Sequence, residues 1–221
     1  CLFLNLQNNY LSLKYLRLIL KPYMEYRNKN ILFYGPAKTP DKRQLSINDY
    51  DFIFITNNMI SLFFNLYSVE PTTKIILLAN NLFTRTNYHV IQKFSNLLYR
   101  VIVINPKSVE LLENFIPYDK IILSSFHIYH SIPLGLSRVL NYLQDTNFKK
   151  LYITGVTFYQ EGNIRDCYMS NYMIKEGYQY NIFNEDQGKH NIRKEIQYTK
   201  KMCRRNRNIE PCPTLRGILN L

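Results

Sequence analysis

The amino-acid sequence predicts an α/β fold built on a mostly parallel sheet with helices on both faces. Three observations lead there. Short, unbroken apolar runs recur six times, stretches with helical spacing alternate with them, and glycine or asparagine follows several of the runs directly. Strands buried on both faces read as continuous apolar runs, and parallel neighbours need a crossover between them.

Taken in order, residues 9–27 repeat apolar side chains at three- and four-residue spacing (Leu11, Tyr15, Leu18) with Lys and Arg between them, the pattern of an amphipathic helix. The runs expected as strands are ILFYG at 31–35, DFIFIT at 51–56, KIILLA at 74–79, RVIVIN at 100–105, KIILSSF at 120–126 and KLYITGVTF at 150–158. Helices are expected at 59–67, 88–99, 108–115 and 133–144, with Ser108 and Pro133 at two of the N-termini. The organisation expected is an N-terminal helix in 1–30, a nucleotide-binding α/β domain over 31–188, and a basic helix with an irregular arm over 189–221.

At 221 residues the chain fits one α/β domain. Hydrophobic residues make up 46%, and no run approaches the ~18 apolar residues of a membrane-spanning helix, which excludes that class. The opening CLFLNL is too short for the apolar region of a signal peptide, and a start at Cys1 instead of Met reads as a processed or incomplete product. The four cysteines form no CxxC pair, which favours a reducing compartment and disfavours structural zinc. The net charge of +12 points to a polyanionic partner, although abundant Asn, Lys, Ile and Tyr also fit an A+T-rich coding sequence. Eight basic residues against Glu195 alone concentrate that charge between Lys189 and Arg207.

Ligands of parallel sheets bind beyond the carboxyl ends of the strands, so the residues there are the candidates. Gly35 and Pro36 follow the first run, and a glycine there lets backbone N–H groups approach a phosphate or ribose. Asn57 and Asn58 follow the second and Asn80 and Asn81 the third; these amides suit base or sugar edges and equally suit helix caps. After the sixth run come Tyr159, a phenol donor for an oxyanion, and Arg165, a charge to assist it. His190, just after a glycine at the start of the basic segment, suits a base near neutral pH.

In this order GPAKT, DFIFITNN, SIPLG, KLYITGVTFYQEGN and HNIRKE resemble the sialyltransferases, most closely the bacterial ones of glycosyltransferase family 42. The resemblance spans roughly 31–200. It implies a single-domain Rossmann-like fold of the GT-A-variant type. It also implies a cytidine nucleotide held by Gly35, Pro36, Asn57, Asn58, Asn80 and Gly155, with Tyr159 on the leaving phosphate and His190 as general base. His190 and Glu195 match the late H-x4-E of the animal sialyltransferases. This chain departs from the family pattern at Ser131, Thr157, Arg165 and Gln187.

The activity implied is metal-independent, inverting transfer of a sialic-acid-like sugar from a cytidine monophosphate donor to a glycan, with no cofactor. Such an enzyme would be cytoplasmic or peripheral to an anionic membrane surface. Two other readings stand beside it. One is another nucleotide-binding α/β enzyme. The other is a catalytically inactive homologue that binds RNA and protein partners in an assembly such as an organellar ribosome, through Lys200, Lys201, Arg204, Arg205 and Arg207.

Overall fold

A computed structural model of the chain describes residues 24–37, 39–57, 59–80, 84–85, 87–124, 134–158 and 191–221. The helix expected within 9–27 falls mainly outside them, and its last residues lie in a turn at 24–28. Among the described residues seven strands are formed: β1 (Asn30–Tyr34), β2 (Phe52–Thr56), β3 (Lys74–Leu78), β4 (Arg100–Val103), β5 (Ile121–Leu123), β6 (Lys150–Thr154) and β7 (Ile209–Pro211). They make one sheet in the order β5-β4-β3-β2-β1-β6-β7, and every pairing is parallel. The architecture is that of a Rossmann-like α/β sheet. The helices are α1 (Met59–Leu66), α2 (Tyr88–Phe94), α3 (Pro106–Leu112), α4 (Gly135–Leu143), α5 (Ile192–Arg205) and α6 (Pro213–Leu219).

Alternate residues of each strand enter two separate cores, which is why the runs are apolar throughout. Leu32, Ile53, Ile55, Leu77 and Val101 face one layer, where Ile60 and Phe63 of α1, Ile91 of α2 and Val109 of α3 cover them. Ile31, Phe33, Phe52, Phe54, Leu78 and Ile102 face the other, covered by Leu136, Val139 and Leu140 of α4 and by Leu215 and Leu219 of α6. Tyr26, from the turn at 24–28, is buried in the second layer, and its hydroxyl lies 3.3 Å from that of Tyr142.

Three expectations need correction. The C-terminal arm is not irregular, because Ile209–Pro211 adds a seventh strand beside β6 and Pro213–Leu219 is helical. The third helix begins at Pro106 and not near Ser108: Asn105 caps it by accepting from Lys107 N at 2.9 Å, and Ser108 is buried inside. Strands β4 and β6 stop at Val103 and Thr154, short of the expected 105 and 158. Both edge strands, β5 and β7, have three residues, and β7 ends in proline, features that discourage pairing with further strands.

The amino edge of the sheet is fastened by Asp51. Its carboxylate accepts from Asn30 N at 2.8 Å and Lys29 Nζ at 2.9 Å, while its backbone accepts from Lys74 N at 2.9 Å. One residue thereby ties the starts of β1, β2 and β3. Partial burial pushes the carboxyl pKa up, but the hydrogen bonds from Lys29 and Asn30 outweigh this and hold it below the usual carboxylate range. A carboxyl lowered in the folded state stabilises the protein above its unfolded pKa and loses that contribution as the pH falls through its folded value. Asp51→Asn is therefore expected to cost about 1 kcal/mol in urea unfolding at pH 7, and the difference from the unaltered protein should shrink from about pH 5 towards pH 3.

Candidate functional site

The strand order places the switch point between β1 and β6. From β1 the chain builds outward through β2, β3, β4 and β5, then returns to the opposite side of β1 for β6 and β7. The segments leaving β1 and β6 therefore diverge at the carboxyl edge, and such a divergence is where open parallel sheets form their ligand crevice.

At this point two glycines meet. Gly35 N donates to Thr154 O and Ala37 N to Gly155 O, each at 2.9 Å, so the two backbones run together past the ends of their strands. A Cβ on Gly35 would stand 2.2 Å from Gly155 O, and one on Gly155 would stand 2.4 Å from Gly35 O. Gly155 also has φ +69°, in the left-handed region that glycine adopts freely. No side chain fits at either position.

Beyond Pro36 the chain passes over the ends of β6 and β7. Thr39 Oγ1 lies 3.3 Å from Thr154 Oγ1, and Asp41 Oδ2 accepts from Thr214 Oγ1 of α6 at 2.9 Å. The 3-10 turn Pro40–Gln44 within this crossing carries Lys42. Its Nζ donates to Gly35 O at 2.6 Å and stands 4.0 Å from the centre of the Tyr34 ring. Burial pushes the Lys42 pKa down to about 7.

On the other side of β1, Asn57 leaves β2 with φ +25°, a conformation that asparagine tolerates better than most residues. Its Oδ1 accepts from Asn80 N at 2.8 Å, and its own N–H donates to Leu78 O at 3.0 Å. The asparagine after β2 thus fixes the exit of β3, and its Nδ2 is the end of the side chain not used in that bond. Asn80 O in turn accepts from Thr84 Oγ1 at 2.8 Å.

Helix α4 starts directly above β2: a Cβ on Gly135 would stand 2.5 Å from Thr56 Cγ2. Its first turn is capped from a distance. The fully buried carboxylate of Glu195, on α5, accepts from Leu134 N at 3.1 Å and from Ser137 Oγ. Arg138, next along α4, is buried and donates to Ile102 O at 3.2 Å. The Glu195 of the H-x4-E match is thus tied to the start of a helix.

Of the residues expected from the sequence, Gly35, Pro36, Asn57, Asn80 and Gly155 all lie at this one carboxyl edge. Asn58, Tyr159, Arg165 and His190 lie outside the described residues. Lys200, Lys201, Arg204 and Arg205 are on α5, and Arg207 follows it. Lys42 was not anticipated, because nothing in PDKRQ marks a lysine that folds back seven residues onto a glycine. Cys203 and Cys212 have thiols that burial pushes up to about 11, which makes them poor nucleophiles at neutral pH. Among the described residues no group of His, Cys, Asp or Glu is placed to hold a metal ion, and no helix is long and apolar enough to cross a membrane.

Comparison with protein-family models, curated proteins and solved structures finds no match to this chain. What fold and edge define together is a Rossmann-like α/β protein with a candidate ligand crevice at the β1/β6 switch point.

Two substitutions probe the construction of this edge. Gly35→Ala forces Cβ into the Gly155 backbone, and a loss of about 3 kcal/mol or more is expected by urea unfolding. Glu195→Ala strands two donors at the start of α4 and should cost about 2–4 kcal/mol, with Glu195→Gln recovering part of it.

Proposed function

We propose that the chain is a glycosyltransferase that takes a sialic-acid-like sugar from a cytidine monophosphate donor. One observation supports this most: the glycine turn after β1 stands at the switch point of a parallel sheet, and the linked asparagines after β2 and β3 lie along the same carboxyl edge. In this reading Gly35, Pro36 and Gly155 allow the ribose and phosphate to approach the backbone, and Asn57, Asn58 and Asn80 read polar edges of the nucleotide.

The reaction follows from the residue types. His190 takes the proton of the acceptor hydroxyl as that oxygen attacks the anomeric carbon. On the opposite face the bond to the phosphate oxygen breaks, and cytidine monophosphate departs with Tyr159 and Arg165 on its developing charge. Attack opposite the leaving group inverts the anomeric centre. A phenol and a guanidinium suffice for a single phosphate, so the scheme needs no metal. The finer assignment to a GT-A-variant fold, and a location in the cytoplasm or against an anionic membrane surface beside a glycan acceptor, belong to the same proposal.

A second reading is favoured by the outer face of α5. Arg193, Lys201, Arg204 and Arg205 are exposed there, Arg207 follows, and the helix's one acid, Glu195, is buried. Such a stripe suits RNA phosphates in a non-catalytic assembly protein, with each cation adding to the salt dependence of binding.

A titration with cytidine, uridine and guanosine monophosphates and a short RNA separates the two. The enzyme reading expects selective cytidine monophosphate binding, weakened roughly 10- to 100-fold in Asn57→Ala, and sugar transfer abolished in His190→Ala with nucleotide affinity kept. RNA binding weakened by charge reversal at Arg204 and Arg205, without nucleotide selectivity, would replace it with the second reading.

A further inference from the structure

We infer that Lys42 is the phosphate-binding cation of the crevice, closing over the anionic group of a nucleotide held at the Gly35–Gly155 junction. This deepens the nucleotide reading above and rests on it.

Position comes first. Lys42 reaches the edge from the segment that crosses β6 and β7, and its Nζ lies 2.6 Å from Gly35 O. A Cβ on Gly155 would stand 2.7 Å from the same nitrogen, so the ammonium touches both glycine turns. Those turns lie where the sheet opens, and a lysine beside such backbone turns is a recurrent solution for holding a phosphate as a point charge.

Charge comes second. No salt bridge to Lys42 is formed among the described residues. Asp41, its neighbour on the same turn, is engaged by Thr214 Oγ1. From the cap of α6, just after β7, the group facing it is Cys212, whose thiol is neutral at neutral pH because burial pushes its pKa to about 11. From β1 it is the ring of Tyr34, whose hydroxyl lies 3.3 Å from that of Tyr67. A partly buried amine without a carboxylate partner loses hydration and gains little in return, and its pKa falls to about 7 accordingly. An arriving dianion supplies the missing partner. It favours the charged amine, so binding draws a proton from solution near neutral pH.

The test is calorimetric titration of the full chain with cytidine monophosphate and with cytidine at pH 8, in two buffers of different ionisation enthalpy. At that pH the phosphate, with a second pKa of about 6, is already a dianion, so protons taken up go to the protein. Cytidine monophosphate should bind with uptake of roughly half a proton or more, and cytidine with none. In Lys42→Met, checked for folding by circular dichroism, affinity for cytidine monophosphate should fall roughly 10- to 100-fold and the uptake should vanish, while cytidine affinity stays the same. Proton uptake that persists in Lys42→Met, or equal binding of the two ligands by the unaltered protein, would overturn the role of Lys42 and leave the nucleotide reading standing. If Lys42→Met does not fold, the absence of proton uptake in the unaltered protein overturns the role by itself. Failure of both ligands to bind the unaltered protein would overturn the nucleotide reading, and this inference with it.

Discussion

The edge of the sheet depends on a backbone-to-backbone contact between two residues without side chains. Gly35 and Gly155 lie so close that either carbonyl occupies the other's Cβ position. Strands β1 and β6 can therefore continue their pairing for one residue beyond the sheet, and only then separate. Everything that follows β1 takes its direction from that contact. Ala37 is tied to Gly155, Thr39 to Thr154 and Lys42 to Gly35, so the crossing segment is stitched down along its length.

The β2 side of this edge is assembled from distant parts of the chain. Helix α4 begins over the end of β2, and what satisfies its first turn is a carboxylate from α5. A buried carboxyl group at this place has its oxygens satisfied, because the helix N-terminus offers unpaired N–H groups. Asn57 does the corresponding work between β2 and β3 by giving its side-chain carbonyl to the next strand's backbone. The polar residues at this edge thus hold one another.

Much of this fold is legible in the sequence because both faces of the sheet are buried. Apart from Thr56 and Lys74 at their ends, runs such as FIFIT and KIILL have no polar position, and few other structures use such a run. β7 escaped because three residues ending in proline carry no such signal; it is a strand only because β6 offers it an edge. The start of α3 shifted because Asn105 and Pro106 form a stronger cap than Ser108 two residues later. In the site, the glycines and asparagines were legible as strand-end residues. Lys42 was not, nor was the capping role of Glu195, since each is set by a partner that only the tertiary fold brings near.

The order of the strands also bears on how the chain folds. β1 and β2 are close in sequence, whereas residue 30 of β1 pairs with residue 150 of β6, and β6 then receives residue 209 of β7. The central strand must therefore wait, one side unpaired, until most of the polypeptide is available. Loop-closure entropy makes such late pairings slow, and an open apolar edge is a hazard for as long as it persists. During synthesis the five strands from β1 to β5 emerge first and can assemble as a partial sheet, while the Gly35–Gly155 junction becomes possible only when β6 arrives. That junction is consequently among the last features to form.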